Sequence, residues 1–411
     1  YRRQRQMCIR DRTNVDGVKI FSTIPKPDHW KRAKDANKLL IEEAEKAGHA
    51  LYKEYLSDGV TIDPFLSYQN MMMKTYKEGN TEIIFPRTKD NAGWFDDCAL
   101  PRGAGGLGSL GVTQLLVDDF FMKNGKMPIK GYINNNDMQT VEINEESGYS
   151  ETGYSTEDDV RPTNWHYAVA GSKATGDSHV VVPKNTFNMY CNREPRFYIS
   201  VVYNEQYHWG KGKATNFFFN GEDGQPSHDN PSAGYLIRKH VDPTFVHSTN
   251  TGTYKSRQGI LYRLAEAYLS YAESALEYSI AKGTYNSEKG DIVKYINRIR
   301  ERAGIPQYGA SGLEIPTDPE EMRKLIRRER RVELNCEGGL RWFDLRRWKE
   351  AENVLNGKFY GMNMLAEKDN RDDFYKRVSY QTRKFISYWW PIPQDEIDKN
   401  PNLKQMPGWM N

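Results

Sequence analysis

Apolar and small residues recur at helical spacing near the start of the chain. Asp28 is a suitable N-cap, and Gly48 is a suitable stop. Between them, one face of a helix is marked by Trp30, Ala33, Ala36, Leu40, Ala44 and Ala47. The pattern predicts one long helix here and a second, short helix at residues 51–55.

Helical spacing returns after residue 259 in three consecutive stretches. They contain Leu261, Leu264, Ala265, Tyr268, Ala272, Ala275 and Leu276, then Ile292, Tyr295, Ile296, Ile299 and Ala303, then Met322, Leu325, Ile326 and Leu334. Short loops with Gly304, Pro306 and Pro319 separate them. Three amphipathic helices joined in this way predict antiparallel hairpins. Packing faces rich in Ala and Tyr are tetratricopeptide-like, although the period is not a clean 34 residues.

Between these helical regions the pattern is irregular. Residues 82–85 predict a short strand, residues 113–121 a short helix capped by Thr113, and residues 197–203 a strand rich in β-branched and aromatic residues. The rest is rich in Gly, Asn and Asp. An irregular stretch of this length inside a folded chain is typical of a functional region.

The predicted fold is therefore mainly α, with helical hairpins around an irregular central subdomain that contains short strands. We place the boundaries at 13–80 for a first helical region, 81–255 for the central subdomain and 256–411 for the second helical region. Residues 1–12 carry five Arg and one Asp but no apolar period. They are interpreted as a non-native segment, with a basic binding arm as the alternative.

Charge and composition exclude several classes of function. The net charge is +3, but without residues 1–12 there are 53 basic and 54 acidic residues, a net charge of −1. No basic stripe remains for nucleic acid. The four cysteines form no CxxC pair and the eight histidines no HExxH motif, so neither a metal nor a cofactor is predicted. No apolar run is long enough to span a bilayer.

Motifs for catalysis are weak. Residues 103–108 match GxGxxG, but no buried strand precedes them and the next helix starts late, so a loop is predicted rather than a dinucleotide site. Asp96, Asp97 and the acidic residues 157–159 could serve a glycosidase only if two carboxylates faced each other across a sugar bond. Acidic loop residues are more often simply solvated.

Aromatic residues in the central subdomain are the better candidates for binding. An indole or phenol ring can stack under the C–H face of a sugar, while amide and carboxylate groups bind its hydroxyls. Three clusters have this composition: Trp94 with Asn91 and Asp96, Trp165 with Asn164 and His166, and Trp209 with Tyr207 and His208. The alternative for each tryptophan is that it anchors its loop to the helices.

Several segments in the second half of the chain resemble a known family. The run Leu340–Trp348 reads LRWFDLRRW, residues 390–393 read WPIP, and residues 404–409 read KQMPGW with Met406 where the family usually has Asn. Upstream matches lie at residues 113–125, 192–198 and 234–239. In this order they resemble the SusD/RagB family, with the family's amino-terminal part missing.

The residues of the main motif themselves favour a structural role. Glu329, Glu333 and Glu337 repeat every four residues and would repel one another unless countered. We expect the neighbouring arginines 327, 328, 330, 331, 341, 346 and 347 to counter them, and Asp344 to lock the next helix in place. The predicted structural motif consists of Glu329, Arg330, Glu333, Arg341, Trp342, Asp344, Arg346 and Trp348.

The resemblance implies a SusD-like fold and a binding function. Such proteins are lipid-anchored at the cell surface, on the outer membrane of Bacteroidota-type bacteria. They capture oligosaccharides or polysaccharides for a SusC-like TonB-dependent β-barrel transporter and make or break no bond. Their ligand residues vary between members, so none is carried over. Uptake of peptides or another nutrient remains an alternative, and a glycan-degrading hydrolase is a weaker one.

Overall fold

A computed structural model describes residues 27–90, 92–162, 165, 179–209, 211–224, 229–243 and 257–409. The segment 1–12 lies outside these ranges. Within them the fold is mainly α, as predicted, and the helices are α1 (Pro27–Lys46), α2 (Pro64–Met73), α3 (Gly93–Ala99), α4 (Gln114–Asp119), α5 (Pro195–Ser200), α6 (Leu264–Lys282), α7 (Tyr285–Arg302), α8 (Pro319–Glu333), α9 (Leu340–Trp348), α10 (Ala351–Val354), α11 (Arg371–Phe374) and α12 (Gln394–Lys399).

The strands are short and form small antiparallel sheets. They are β1 (Glu54–Tyr55), β2 (Ile62–Asp63), β3 (Ile83–Asp90), β4 (Ile129–Asn135), β5 (Met138–Ile143), β6 (Asp159–Val160), β7 (Val180–Val182), β8 (Val201–Val202), β9 (Tyr207–His208), β10 (Lys213–Ala214), β11 (Leu236–Ile237), β12 (Arg257–Arg263), β13 (Gly357–Met362) and β14 (Arg377–Arg383). Most sheets are two-stranded, and the four-stranded one has the order β13-β14-β5-β4. This sheet joins residues of the central region to residues near the carboxyl terminus, across the predicted boundary at residue 256.

The helix α6 lies at the centre of the helical scaffold. It packs against α1, α7 and α8. Its small side chains Ala265, Ala267, Ala272 and Ala275 are buried and permit close approach of the neighbouring helices. Gly283 ends the helix in a left-handed conformation with φ 69°, a position that favours glycine. The Ala-rich pattern in the sequence therefore marks the most enclosed helix of the scaffold.

The structure confirms the long helices and corrects several short elements. Residues 197–203 were expected to form a strand, but most of them lie in α5, because Pro195 starts a helix that is buried on every side. Residues 51–55 were expected to form a helix, but 51–53 are irregular and 54–55 form β1. The helix instead begins at Pro64, where the Asp63 side chain accepts hydrogen bonds from the N–H groups of Phe65 and Leu66, both at 3.1 Å.

The start of the second helical region also shifts. Leu261 was expected on the helix but lies on β12, which pairs with β3. The long helix begins three residues later at Leu264. The short helix α4 is confirmed, with Thr113 as its cap.

A buried ionic network connects the helical scaffold to the central region. Ten charged side chains, each at most 6% exposed, form one continuous set of ion pairs: Glu82, Glu194, Glu329, Glu333, Glu337, Arg196, Arg263, Arg300, Arg302 and Lys239. Five carboxylates face five cations, so the set is electrically balanced. Removing such charges from water is costly, and only close, multiple pairing offsets that cost.

The central member of this network is Glu333 on α8. It contacts Arg196 at 3.0 Å, Arg263 at 2.7 Å and also Arg302. Glu329 pairs with Arg196 at 2.7 Å and Arg300 at 3.1 Å. These arginines come from α5, β12 and α7, so one acidic face of α8 holds three other elements in place.

The prediction that neighbouring arginines counter Glu329, Glu333 and Glu337 is therefore wrong. The neighbouring arginines point to other carboxylates because, on a helix, they lie on different faces from Glu329 and Glu333. Arg330 pairs with Asp344 at 2.7 Å, and Arg331 pairs with Asp119 at 3.2 Å. The glutamates are countered by basic residues that are distant in sequence.

The electrostatics of Glu333 explain how the network depends on pH. Burial alone would raise the pKa of Glu333, but Arg302, Arg263 and Arg196 outweigh burial and hold the pKa at about 2. A carboxyl whose pKa is depressed in the folded state contributes stability above its unfolded pKa, and that contribution is lost as the pH falls toward 2. The pKa of Glu194 is shifted in the opposite direction, because burial raises it above the usual value of a glutamate.

We predict that Glu333→Gln lowers the free energy of unfolding by about 3–5 kcal/mol at pH 7, because it leaves buried arginines without their shared carboxylate. The difference from the wild type should shrink as the pH is lowered from about 4.5 toward about 2, where Glu333 itself becomes neutral. Urea denaturation followed by circular dichroism measures both effects. Glu321→Gln, on the exposed face of the same helix, is the matched control and should change little. A pH-independent difference would contradict this account of Glu333.

Candidate functional site

Trp94 is a large aromatic side chain on the surface of the central region. It lies on α3 and is 70% exposed, whereas Gly93, Asp96 and Cys98 of the same helix are buried. A seven-residue helix has little stability of its own. Its position must therefore come from contacts of the buried face.

Asp96 provides the strongest of these contacts. Arg257, at the start of β12, donates from Nη1 to Oδ2 at 2.9 Å and from Nη2 to Oδ1 at 2.8 Å. The Asp242 N–H also donates to Oδ1, at 3.4 Å. Burial raises the pKa of Asp96, although Arg257 opposes that effect. Both oxygens are thus used in a buried bidentate pair, which is a geometry for fixing α3 rather than for contacting a ligand.

The glycine-rich segment after α3 folds back against the central region, as a loop. Residues 102–104 form a single 3-10 turn, and the Gly103 N–H donates to Asp223 at 2.7 Å. A Cβ on Gly103 would come within 2.8 Å of Lys211 and Glu222, and one on Gly106 within 2.3 Å of the Leu100 carbonyl oxygen. The glycines permit close approach of the backbone, and a helix rather than a buried strand precedes them.

Trp165 and Trp209, in contrast, are buried. Their exposed fractions are 1% and 2%. The guanidinium of Arg238 lies 4.2 Å from the ring centroid of Trp165 and 4.7 Å from that of Trp209. Burial lowers the pKa of Arg238 to about 9, and its cation is stabilised by the two rings and by Gln69, which accepts from Nη2 at 3.1 Å. Both tryptophans thus have the contacts expected of residues that anchor a loop, which was the alternative to ligand contact in the sequence analysis.

Tyr207 lines a polar cleft of about 780 Å³ in the central region. Tyr207 is itself 7% exposed, and the neighbouring His208 is 1% exposed. Asn91, Asn164 and His166 lie outside the described residues. Among the described residues, Trp94 therefore lies at the surface, whereas Trp165 and Trp209 are buried against Arg238, so the three tryptophans do not share one exposed site.

This cleft contains polar residues that the sequence did not single out. Glu205 accepts from Arg371 Nε at 2.8 Å and from the Tyr375 hydroxyl at 2.9 Å. The lining also includes Asn185, Asn216 and Lys368. These side chains come from segments more than 150 residues apart, so no local pattern could indicate them.

The structural motif around α9 clamps this helix to α6 and α8. Asp344 accepts from Arg330 Nε at 2.7 Å and from Arg347 Nε at 2.8 Å. The Trp348 indole N–H donates to Glu273 on α6 at 2.8 Å, and burial by itself would raise the pKa of Glu273, but Arg347 and Arg330 hold it at about 2.

Another part of the motif faces the carboxyl-terminal segment. The Arg346 guanidinium lies 5.3 Å from the ring of Trp342 and 5.1 Å from that of Trp390, and it donates to the carbonyl oxygens of Ser387 and Tyr388. These are the contacts of a structural clamp. Arg341 is different, because it has no carboxylate within ion-pair distance among the described residues.

The described residues include neither a cluster suited to a metal ion nor a helix suited to crossing a membrane. No group of three or more His, Cys, Asp or Glu side chains is close enough together there to hold a metal ion. None of the helices in the described ranges has the length and hydropathy that a membrane-spanning helix needs.

Comparison with known proteins identifies one family that matches most of the chain. The SusD family model matches residues 67–409. A SusD-like protein, P2, from Formosa agariphila is 31% identical over 156 residues, which are 38% of this chain and 26% of that protein.

Solved structures have the same fold. A SusD-like protein from Bacteroides fragilis is 25% identical with a TM-score of 0.61, over 92% of this chain and 62% of that one. A SusD-like carbohydrate-binding protein from the same species is 20% identical with a TM-score of 0.59, over 92% and 61% of the two chains. The chain spans less than two thirds of the length of each of these relatives. The match over residues 67–409 confirms the predicted SusD-like fold, and the chain belongs to the SusD family.

Proposed function

We propose that the protein binds oligosaccharides or polysaccharides at the cell surface and delivers them to a SusC-like TonB-dependent transporter in the outer membrane. The observation that carries the binding part is Trp94, a 70% exposed indole on a helix whose other face is fixed by a buried ion pair. Family membership and the carbohydrate-binding relative support it. The transporter partner, the outer-membrane location and an amino-terminal lipid anchor are parts of the same proposal.

The exposed indole suits a sugar because its flat apolar face matches the C–H face of a pyranose ring. The ring need not be ordered by the ligand, because α3 is already held by Asp96 and Arg257. A single stacking platform gives modest affinity. Modest affinity is appropriate for a protein that must pass its cargo on.

Hydrolysis by Asp96 is disfavoured by its geometry. A glycosidase needs two carboxyl groups that reach the glycosidic bond from opposite sides. Asp96 is buried, and both of its oxygens are bound to Arg257. We therefore propose a binding protein rather than an enzyme. Peptides or other nutrients remain alternative cargoes for the same scaffold.

We predict that Trp94→Ala weakens glycan binding at least about tenfold, which corresponds to a loss of roughly 1.4 kcal/mol of stacking free energy. Affinity electrophoresis in gels containing a panel of polysaccharides measures this as lost retardation. Tyr55→Ala is a control, since Tyr55 is also an exposed aromatic residue, at 50%, but lies on β1, outside α3. If every polysaccharide that retards the wild type retarded Trp94→Ala equally, Trp94 would not be the stacking platform.

Trp209→Ala should instead act on stability. Removing this buried indole leaves a cavity and exposes one face of Arg238, so the free energy of unfolding should fall by about 3–5 kcal/mol. Thermal and urea unfolding measure the loss. If the variant were as stable as the wild type but no longer retarded by glycan, Trp209 would be a ligand residue after all.

Asp96→Asn separates support from catalysis. It removes the charge that pairs with Arg257, so we expect reduced stability and reduced glycan retardation together. Incubation of the wild type with the retarding glycan should release no new reducing ends. Turnover by the wild type that Asp96→Asn abolishes, in a variant that remains folded, would show a hydrolase instead.

A further inference from the structure

A second cleft, of about 860 Å³, lies beside α8, and Trp94 is not among the residues that line it. It is bounded by α8, α9 and the hairpin of β4 and β5, and its wall includes Leu325, Arg327, Arg328, Arg331, Arg341 and Trp348. The volume is in the range of small-molecule sites. The function proposed for Trp94 does not use this cleft.

Three arginines of this cleft lie deeper than two of its glutamates. The side chains of Arg327, Arg328 and Arg331 are 14–27% exposed. Glu146 and Glu321, in contrast, are 77% and 56% exposed. Glu146 and Glu321 are therefore hydrated. Water screens the positive charges of the three more buried arginines less than it screens the negative charges of these two glutamates.

Arg341 has the most available guanidinium in this wall. It makes no hydrogen bond or salt bridge with any described residue, and its guanidinium carbon lies 6.0 Å from the ring centroid of Trp348. Burial lowers the pKa of Arg341 to about 10, and the nearby positive charge of Arg331 lowers it as well. The group is still charged at neutral pH, and its five N–H donors are not used by any residue that the structure describes.

The neighbouring arginines are also loosely bound. Arg328 lies 3.6 Å from Asp119 and 3.4 Å from two backbone carbonyl oxygens, and Arg327 lies 3.4 Å from Glu350. Arg331 shares Asp119 at 3.2 Å. Arg327, Arg328 and Arg331 thus share the two carboxylates Glu350 and Asp119, and Arg341 adds a fourth guanidinium to the wall. The four groups together leave an excess of positive charge and of donors there.

We infer that this cleft binds an oxyanion group, a carboxylate or a sulfate ester, carried by a saccharide. The planar forks of Arg328 and Arg341 match the oxygens of such a group, and Leu325 offers an apolar surface for the sugar. The choice of a saccharide as the carrier rests on the proposed function. The choice of an oxyanion rests on the arginines alone.

The test is isothermal titration of the full chain with three oligosaccharides of equal length: one neutral, one containing uronic acid and one sulfated. We expect the wild type to bind an anionic sugar more tightly than the neutral one, and Arg341→Gln to weaken that binding at least about tenfold. Arg341→Lys, which keeps the charge but loses the fork, should give an intermediate loss. Arg32→Gln removes the same charge from an exposed position on α1, which does not line the cleft, and should have no effect on binding.

The outcomes separate this inference from the platform at Trp94. Comparison of the uronic and sulfated sugars identifies which oxyanion is preferred, and retardation of Arg341→Gln by neutral glycan reports on Trp94 independently. Equal affinity of wild type and Arg341→Gln for all three sugars would overturn the inference. So would Arg341-dependent binding of a poly-glutamate peptide with no binding of either anionic sugar, because the cleft would then recognise an acidic protein segment.

Discussion

The buried carboxylates of α8 and the cations around them are the constraint on which the rest of the structure depends. Glu329 and Glu333 lie on a helix of the scaffold, but their partners Arg196 and Arg263 belong to α5 and β12. Each charge is so fully removed from water that it is tolerable only with its partners in place. The network therefore fixes where an irregular central region sits on a regular helical frame, which apolar packing alone would specify less sharply.

The same device recurs on a smaller scale at the candidate site. Asp96 and Arg257 fix α3, so the face that carries Trp94 can remain exposed. Arg238, between Trp165 and Trp209, fixes another loop with aromatic rings in place of carboxylates. Internal ionic and cation–π contacts thus hold the loops, and the surface aromatics are available for a ligand. This division of roles suits the binding function proposed for the protein.

The sequence predicted the regular parts of the fold better than the site. The long helices follow from apolar spacing, and LRWFDLRRW indicates the family. Residues 197–203 were misassigned because the buried helix formed by Phe197, Tyr198 and Ile199 has no amphipathic period, although Pro195 was a usable start signal. The Asp63–Pro64 pair was likewise an available cap.

The ionic partners could not have been predicted, because Glu333 pairs with arginines up to 137 positions away. Similarly, Trp94, Trp165 and Trp209 all have polar neighbours in sequence. Contacts formed only in three dimensions, such as those of Arg238 with Trp165 and Trp209, distinguish the buried pair from the exposed residue.

The most direct test of the central claim is a crystal structure of the protein with an oligosaccharide derived from a polysaccharide that it binds in affinity gels. The account predicts a sugar ring stacked on the indole of Trp94 at about 4 Å, with the Asp96–Arg257 pair intact behind it. A glycan bound elsewhere while Trp94 remains open to solvent would contradict the account.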